Sequence, residues 1–428
     1  MRWQNGRIMT EHILDDLAWR GLISQTTGDD ALRDALDAGP ITLYCGFDPT
    51  APSLHIGNLV QILTVRRLQD AGHHPLLLVG GATGLVGDPK QAGDRVLNPV
   101  ELVHEWVERI RAQIEPFMRF DGDNPARMVN NYEWTKDMSA IELLRDVGKH
   151  FRLGTMIAKD TVARRLNSDE GISYTEFSYQ VLQGMDYLEL FRRYGCTLQT
   201  GGSDQWGNLT AGTELVRKAE GTSVHALATP LITKADGTKF GKTETGTVWL
   251  DAALTSPYAF YQFWLNAADS DVIGYLKVFT FLSREEIEGL ERAVAEEPFK
   301  REAQRTLAAE VTALVHGPDA MAGVVEASQA IFGRGELTGL DERTLDGVAE
   351  EVPSATVTAG TSVVDALVAT GIVESRAAGR RAIAEGGAYV NNERVVADDA
   401  VLTAEMTLAG GWVAVRRGKK SVGLARVV

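Results

Sequence analysis

The stretch "YCGFDPTAPSLHIGN", from Tyr44 to Asn58, places an imidazole and a glycine where an apolar strand passes into a helix. A helix N-terminus has free backbone N–H groups and a partial positive charge, so it attracts phosphate. Gly57 allows a nucleotide to approach the backbone, and the imidazole of His55 is able to donate to a phosphate oxygen. On these two residues alone, an ordinary turn remains the favoured interpretation.

A glycine-containing loop, "TKADGTKFGKTETGT", carries two lysines and a threonine around Gly241, at Lys239, Lys242 and Thr243. Two ammonium groups and a hydroxyl on one short loop suit the binding of a polyphosphate. The spacing differs from that of a P-loop. Alone, the loop is also compatible with a charged, solvated surface.

The segment "YTEFSYQVLQGMDYLELF" places Tyr179, Gln183 and Asp186 at helical positions i, i+4 and i+7. This spacing brings a phenol, an amide and a carboxylate to one face of a helix. Apolar residues around much of the remaining circumference predict that the helix is buried. Because buried polar groups need partners, a small polar ligand is a candidate partner for this face.

Two further glycine-rich segments follow predicted strands. In "GGSDQWGN", Gly201 permits close approach of a ligand, Asp204 suits ribose hydroxyls, and Gln205 suits a carboxylate or carbonyl. In "GGATGLVGDP", Asp88 is a candidate partner for an ammonium group.

The apolar runs "ITLYCGF" and "HHPLLLVGGAT" flank "LVQILTVRRLQDAG", which has helical periodicity and a glycine stop. Strand, helix and strand in this order predict a βαβ unit and a parallel sheet, with ligands at the carboxyl ends of the strands. "CTLQTGG" predicts another strand. The chain from "SREEIEGLERAVAEEP" onward is helical and acidic, and a last compact unit begins near Thr361.

Composition places the chain among ordinary soluble globular proteins, with 428 residues, 44% of them hydrophobic and 24% charged. We find no membrane-spanning run and no secretory signal in the sequence. Cys45 and Cys196 lie in apolar runs and are expected to be buried and unpaired, which fits the cytoplasm. The net charge of −15 argues against nucleic-acid binding by the whole surface.

These motifs occur together, in order, as "TLYCGFDPTAPSLHIGN", "GGATGLVGDP", "EFSYQVLQGMDYL", "GGSDQWGN" and "TKFGKTETGTVWLD". In this combination the chain resembles the bacterial tyrosyl-tRNA synthetases, a family of class I aminoacyl-tRNA synthetases. The resemblance implies an α/β fold with a Rossmann-like parallel-sheet catalytic domain. It implies activation of tyrosine by ATP with Mg²⁺, transfer to tyrosine tRNA, and no protein-held metal.

The resemblance also assigns roles to residues. The residues implied to bind tyrosine are Tyr44, Asp88, Tyr179, Gln183, Asp186 and Gln205. Those implied to bind ATP are Gly46, Asp48, Gly57, Gly201, Asp204 and Lys242. The implied catalytic residues are Thr50, His55, Asn58, Lys239, Lys242 and Thr243.

Four regions follow from the motifs and the resemblance. They are a catalytic domain at 1–250 with a connective segment at about 115–195, a helical domain at 251–350 with a tRNA-contacting role, a linker at 351–361, and an RNA-binding domain at 362–428. A homodimer is implied, with its interface in the connective segment before Gly195.

Two departures from the family pattern stand out. The family's HIGH motif commonly ends in histidine, whereas here it ends in Asn58, which donates hydrogen bonds but is never cationic. The loop after Asp88 is shorter than in many relatives, so Arg95 is placed easily while Lys90 is only a candidate for that loop's lysine.

The C-terminal unit carries local positive charge. From Ser362 to Val428 there are nine Lys or Arg residues against seven Asp or Glu residues, a net of +2, although such clusters are often merely solvated. The segment resembles a small RNA-binding domain shared with a ribosomal protein, which favours RNA. The candidate tRNA contacts, on a helix and in a late loop, are Arg376, Arg380, Arg381, Arg416, Arg417, Lys419 and Lys420.

Three alternatives remain open at this point. A tryptophanyl-tRNA synthetase shares the fold but is disfavoured, because Tyr44 and Asp186 form a pair suited to a phenol. Another nucleotidylyltransferase with an HxGH motif would not need the basic C-terminal unit. An RNA-binding protein without enzymatic activity would leave the lysine loop and the polar helix face unexplained.

Overall fold

The computed structural model describes residues 11–89, 97–233, 240–243, 246–418 and 421–428, with the backbone alone considered at 160, 242 and 243. It divides into two compact units, Met1–Asp251 with Gly274–Leu282, and Ala252–Ile273 with Ser283–Val428. Within the described ranges, no helix has both the length and the apolar character needed to span a membrane.

The first unit is built on a six-stranded sheet. Its strands are β1 (Gln25–Thr26), β2 (Thr42–Phe47), β3 (His74–Val79), β4 (Arg127–Asn130), β5 (Cys196–Gly202) and β6 (His225–Thr229). The order across the sheet is β1-β6-β5-β2-β3-β4, and all neighbours are parallel except β1 with β6. The chain order reverses between β2 and β5, so the ligand crevice of such a fold lies at the carboxyl ends of these two strands.

Helices cover the sheet of the first unit. They are α1 (Ile13–Trp19), α2 (Asp29–Asp37), α3 (Ile56–Asp70), α4 (Thr83–Val86), α5 (Val100–Ile114), α6 (Tyr132–Thr135), α7 (Ala140–Glu142), α8 (Leu153–Ile157), α9 (Asp160–Leu166), α10 (Tyr174–Tyr194) and α11 (Trp206–Glu220). A two-stranded hairpin, β7 (Lys242–Thr243) and β8 (Gly246–Thr247), completes this unit. The predicted βαβ unit is confirmed as β2, α3 and β3, and the predicted Rossmann-like sheet is confirmed with it.

Burial explains why these segments pair in this way. Leu43 in β2 and Leu77 in β3 are fully buried, as parallel strands covered on both faces require. The predicted burial of Cys45 and Cys196 is also confirmed, and both thiols are free.

The segment 274–282 belongs to the first unit although the sequence places it in the predicted helical domain. Arg20 donates to the carbonyl oxygens of Lys277 and Leu282, each at 3.0 Å. Arg67 donates to the carbonyl oxygen of Val278 at 3.3 Å, and its guanidinium lies 4.6 Å from the centre of the Phe281 ring. These contacts join residues that are far apart in the chain, so no local sequence pattern predicts them. The domain boundary predicted from sequence therefore assigns 274–282 to the wrong unit.

The second unit joins a helical part and a small sheet. Its helices are α12 (Pro257–Leu265), α13 (Asp269–Phe279, which the division between the units crosses), α14 (Arg284–Glu296), α15 (Glu302–His316), α16 (Pro318–Ile331), α17 (Glu342–Glu351), α18 (Val363–Ala369) and α19 (Arg376–Ala384). Its strands are β9 (Ser354–Val357), β10 (Ala388–Val390), β11 (Glu393–Arg394), β12 (Trp412–Arg417) and β13 (Ser421–Val427). The helix, turn, helix and strand predicted for the C-terminal unit are present as α18, α19 and β10.

The C-terminal sheet has the order β11-β10-β12-β13-β9, with β9 parallel to β13. The stretch 351–361, predicted to be a linker, therefore supplies an edge strand of this sheet. Leu367, Ile383, Leu402 and Val413 belong to the core that α18 and α19 form with the sheet.

Candidate active site

Tyr44 and Asp186 are two of the most buried polar side chains in the first unit, 1% and 2% exposed. The hydroxyl of Tyr44 has no hydrogen-bond partner among the described residues. Asp186 accepts from Asn131 Nδ2 and from Trp134 Nε1, both at 2.9 Å. Burial raises the pKa of Asp186 to about 7, although these two donors act in the opposite direction. Burial first, and then the charge of Asp186, raise the pKa of the Tyr44 phenol well above its ordinary value.

A chain of hydrogen bonds links the predicted tyrosine side of the site to the predicted nucleotide side. The hydroxyl of Tyr179 donates to Asp48 at 2.6 Å, and the hydroxyl of Thr83 donates to the other oxygen of Asp48, also at 2.6 Å. Asn131 Nδ2 donates to Thr83 at 2.9 Å and to Asp186 at 2.9 Å. Thr83 and Asn131 were not among the residues predicted from sequence. Asn131 directly follows β4, and Thr83 begins α4 shortly after β3, so both lie at the carboxyl ends of strands, where ligands were predicted.

The Tyr179 hydroxyl therefore already has a hydrogen-bond acceptor within the protein, the carboxylate of Asp48. Burial, and then the charges of Asp48 and Asp88, raise the pKa of the Tyr179 phenol well above its ordinary value. The oxygen atoms of this neutral phenol and of the two carboxylates are hydrogen-bond acceptors. Such a group of acceptors favours a cation, for example an ammonium group.

A second network surrounds Asp88. Gln205 Nε2 donates to one of its oxygens at 3.0 Å, and Asn208 Nδ2 donates to the other at 3.2 Å and to Gln205 Oε1 at 2.8 Å. Gln205 Nε2 also lies 3.4 Å from Asp204, an exposed residue that follows β5 and Gly201. Asn208, which is fully buried on α11, was not among the residues predicted from sequence.

Gln183, the middle residue of the predicted polar face on α10, has a buried side-chain oxygen without a hydrogen-bond partner among the described residues. Together with the Tyr44 hydroxyl, this gives two buried polar atoms of the predicted site that have no hydrogen-bond partner within the described part of the chain. Such atoms cost free energy unless a ligand or water pairs with them, so their presence in one predicted site favours a polar ligand.

The N-terminus of α3 is closed by a reciprocal pair of side chains. His55 Nδ1 accepts from the backbone N–H of Gly57, and Asn58 Oδ1 accepts from the backbone N–H of His55, both at 3.0 Å. Asn58 therefore performs the structural part of a capping box, a role for which its side chain is well suited. A Cβ atom on Gly57 would lie 2.7 Å from the His55 ring, so glycine is required for this geometry.

The residues around this helix start are open to solvent. Gly46, near the end of β2, and Thr50, in the turn that follows, are both exposed. The backbone N–H of Thr50 donates to the carbonyl oxygen of Asp48 at 2.8 Å, which shapes the turn between β2 and α3.

The lysine loop is attached to this helix start. Ile56 N–H donates to the Val248 carbonyl at 3.2 Å, and Leu250 N–H donates to the Leu54 carbonyl at 2.8 Å. Gly241, at φ +79°, lies so close to Ile56 that a Cβ atom would come within 2.9 Å of its side chain. The stretch that directly follows the lysine loop is thus hydrogen-bonded to the start of α3, and Gly241 of the loop packs against the Ile56 side chain.

Several predicted residues are not placed by these observations. Lys239, Lys90, Arg95, Lys419 and Lys420 lie outside the described residues, and Lys242 and Thr243 are described only as backbone in β7. Among the described residues, no group of three or more His, Cys, Asp or Glu side chains is arranged to hold a metal ion.

The capping box leads to a prediction. Replacing Asn58 with alanine removes the acceptor for the His55 N–H, which costs about 1 kcal/mol at a helix N-terminus. We expect a lower unfolding temperature, measured by calorimetry. Asn58→Asp keeps the acceptor, so its unfolding temperature should stay near that of the wild type. Wild-type stability in the alanine variant would contradict the capping role.

In the second unit, the predicted RNA contacts fall into two groups. Arg380, Arg381 and Arg417 are exposed, and Arg376 is exposed but paired with Asp365. Arg416 instead lies in β12 and is only 8% exposed.

Arg416 and Arg417 both lie in β12, which corrects the prediction that they lie in a late loop. The Arg416 guanidinium stacks on Tyr389 at 4.1 Å and donates to the Gly418 carbonyl at 2.6 Å. A Cβ atom at Gly333 would lie 2.9 Å from it, so the side chain packs against the end of the helical part.

Two protein-family models together match most of the chain. The model of class I tRNA synthetases for tryptophan and tyrosine matches residues 36–333, and that of the tyrosine–tRNA ligase SYY-like C-terminal domain matches residues 344–425. The tyrosine–tRNA ligase of Streptomyces avermitilis is 63% identical over 416 residues, which cover 97% of this chain and 99% of that protein. The chain belongs to the tyrosyl-tRNA synthetases. It is an aminoacyl-tRNA synthetase, and so a ligase.

Other members of the tyrosyl-tRNA synthetase family and its neighbours are consistent with this. The tyrosine–tRNA ligase of Streptomyces coelicolor is 60% identical over 97% of this chain and 99% of its own length. The structure of a C-terminally truncated mitochondrial tyrosyl-tRNA synthetase from Coccidioides posadasii is 32% identical, with a TM-score of 0.66 over 74% of this chain and 92% of that one. A tryptophanyl-tRNA synthetase from Encephalitozoon cuniculi, 15% identical with a TM-score of 0.52 over 72% of this chain and 87% of that one, shares the fold alone. The tryptophanyl alternative is therefore less supported.

Proposed function

We propose that this chain activates L-tyrosine with ATP, giving tyrosyl-adenylate and pyrophosphate, and transfers tyrosine to the 3′ end of tyrosine tRNA. The observation that carries the amino-acid specificity is the pair formed by the unsatisfied Tyr44 hydroxyl and the buried Asp186 carboxylate. A substrate phenol is able to accept from the first and donate to the second, whereas an indole offers no oxygen for this exchange.

The remaining tyrosine contacts follow from the two polar networks. Asp88 and Tyr179, with Gln183 nearby on α10, offer acceptors to the substrate ammonium group. Gln205 lies on the side of its carboxyl group. Gly46, Asp48, Gly57, Gly201 and Asp204 line the carboxyl ends of β2 and β5, where the nucleotide is proposed to bind.

The first chemical step needs little acid–base chemistry, because the tyrosine carboxylate is already a nucleophile for the α-phosphorus of ATP. Catalysis then consists of holding the two reactants in line and stabilising charge on the leaving pyrophosphate. We assign this stabilisation to Thr50, His55 and Asn58 at the helix start and to Lys239, Lys242 and Thr243 on the attached loop. Mg²⁺ enters with ATP as part of the substrate and shares the phosphate charge.

For the tRNA, we propose that Arg380, Arg381 and Arg417 contact phosphates, because their side chains are exposed on the small C-terminal sheet domain. Lys419 and Lys420 are assigned the same role from the sequence. Arg376 shares its charge with Asp365, so its contribution is expected to be smaller. We place the protein in the cytoplasm, where tRNA charging for protein synthesis occurs.

A homodimer is proposed from exposed apolar side chains in the connective segment. The side chains concerned are Ile141 (71% exposed), Leu144 (58%), Leu153 (65%), Ile157 (43%), Leu166 (46%) and Tyr174 (75%). An apolar set of this size on a connective segment is typical of a subunit interface.

This proposal gives a prediction for the oligomeric state. Ile141→Asp combined with Leu153→Asp should convert a dimer to a monomer in sedimentation or light-scattering measurements, since two charges would be buried without partners. Val396→Asp is the matched control, because Val396 is 84% exposed and lies in the second unit. A monomeric wild type, or an unaffected double variant, would contradict the proposed interface.

The experiment that tests the function is ATP–pyrophosphate exchange with each amino acid in turn. Exchange that depends on tyrosine, with little activity on tryptophan, supports the proposal. Exchange that depends on tryptophan would show that the chain is specific for tryptophan instead. Exchange without any amino acid would indicate a different nucleotidylyltransferase.

A further inference from the structure

Lys159 comes from the connective segment, immediately before α9, and reaches the network around Asp88. Its ammonium group donates to Asn208 Oδ1 at 2.5 Å. Burial lowers the pKa of Lys159, and the charges of Asp88 and Asp204 act in the opposite direction. Neither the motifs nor the sequence resemblance pointed to this lysine.

The path of the Lys159 side chain depends on a glycine. Its Cε, Cδ and Cγ atoms would lie 3.1, 3.2 and 3.3 Å from a Cβ atom built on Gly207. Any larger residue at Gly207 would push against the whole stem of the lysine. The sequence "QWGN" therefore combines an open path at Gly207 with the acceptor at Asn208.

The chemistry of an ammonium group fixes the orientation of the neighbouring amides. Because Lys159 only donates hydrogen bonds, Asn208 must turn its oxygen toward the lysine and its NH₂ group toward Asp88 and Gln205. Gln205 must then turn its own oxygen toward Asn208 and its NH₂ group toward Asp88. The ammonium group of Lys159, which only donates, and the carboxylate of Asp88, which only accepts, thus together fix the direction of two buried or half-buried amides.

We propose that Lys159 is a positioning residue for the amino-acid substrate, acting through Asn208 to orient Gln205 and Asp88. This inference rests on the proposed function, in which Asp88 and Gln205 hold the ammonium and carboxyl ends of tyrosine. Lys159 and Asp88 bind opposite ends of the Asn208 amide, Oδ1 and Nδ2, so the lysine helps to set the donors and acceptors of the network before the substrate arrives.

The test uses Lys159→Met in the full-length protein, since methionine keeps much of the apolar stem and removes the donor and the charge. Loss of one charge-assisted hydrogen bond should raise the KM for tyrosine in ATP–pyrophosphate exchange by about tenfold, with the KM for ATP nearly unchanged. Lys149→Met, an exposed lysine of the same connective segment, is the matched control and should leave both constants unchanged.

A double-mutant cycle separates positioning from other roles. If Lys159 acts through Asn208, the Lys159→Met change should have little further effect in an Asn208→Ala background. Gly207→Ala should reproduce the tyrosine-specific rise in KM by displacing the lysine stem. Additive effects, or equal rises in both KM values, would overturn the proposal.

Two further outcomes are decisive. A normal KM for tyrosine combined with impaired tRNA charging would assign Lys159 to the tRNA and overturn the positioning role. A wild-type protein without tyrosine-dependent exchange would overturn the proposed function itself, whereas active wild type with an unaffected Lys159→Met variant would overturn only this inference.

Discussion

Replacing Asp186 with alanine is expected to lower the preference for tyrosine over phenylalanine by at least about 100-fold, from the loss of buried hydrogen bonds worth roughly 1–3 kcal/mol each. In the wild type, bound phenylalanine leaves both the Tyr44 hydroxyl and the Asp186 carboxylate without a phenolic partner. Without the carboxylate, bound tyrosine loses the acceptor for its hydroxyl, and bound phenylalanine no longer leaves a buried carboxylate without a phenolic partner. Both effects lower the preference for tyrosine over phenylalanine.

The measurement is the ratio of kcat/KM values for the two amino acids in ATP–pyrophosphate exchange, because a ratio is insensitive to the fraction of folded enzyme. That matters here, since Asp186→Ala also leaves Asn131 and Trp134 without their acceptor and should lower stability. Retained preference for tyrosine would contradict the assignment of Asp186 to the substrate phenol.

A second variant, at Tyr44, tests the same site and has a matched control at a neighbouring tyrosine. Tyr44→Phe removes the unsatisfied hydroxyl and should lower the same ratio, by less than the aspartate change because the lost group is neutral. Tyr187 lies next to it, with ring centres 5.2 Å apart, but its hydroxyl donates to the His225 carbonyl at 2.7 Å. Tyr187→Phe should therefore leave the ratio unchanged.

Truncation after Glu351 is expected to retain tyrosine-dependent exchange and to lower tRNA charging by at least about 100-fold, if two or more charge-assisted phosphate contacts of about 1.5 kcal/mol are lost. The position of the cut follows from the sheet. Ser354–Val357 pairs with 424–427, so a cut at Thr361 would leave an edge strand without its neighbour.

The truncation needs a control in the intact chain. Trp412 donates to Asp346 at 2.8 Å and Arg426 lies 3.4 Å from Glu342, so removing the sheet also uncovers α17. The double variant Arg380→Ala with Arg381→Ala removes two exposed positive charges and leaves α17 covered. It should also lower the rate of tRNA charging. Equal loss of exchange and charging in the truncated protein would contradict a separate tRNA-binding role.

The elements that carry strong local signals were predictable from sequence. Glycine and proline punctuation and helical periodicity around α3 identified β2, α3 and β3, and the spacing of Tyr179, Gln183 and Asp186 identified the buried polar face of α10. These signals depend on residues close together in the chain, so they survive without knowledge of the fold.

What the sequence missed depends on contacts between distant residues. Strand β9 is four residues long and pairs with a segment about 70 positions later, so its local sequence resembles a linker. Arg416 and Arg417 are neighbours in a basic cluster, yet strand alternation buries the first and exposes the second. Lys159 and Asn208 form one hydrogen bond across 49 positions, and neither belongs to a pattern that predicts the other.

The capping of α3 also decides which ring nitrogen of His55 carries the proton of a neutral imidazole. Because Nδ1 uses its lone pair to accept from Gly57, the single proton of the neutral imidazole must be on Nε2. An imidazolium would carry a second proton on Nδ1 and would set one N–H against another at the start of the helix. In the neutral form the ring is thus held in one tautomer, with the N–H of Nε2 directed away from the helix cap and available to donate.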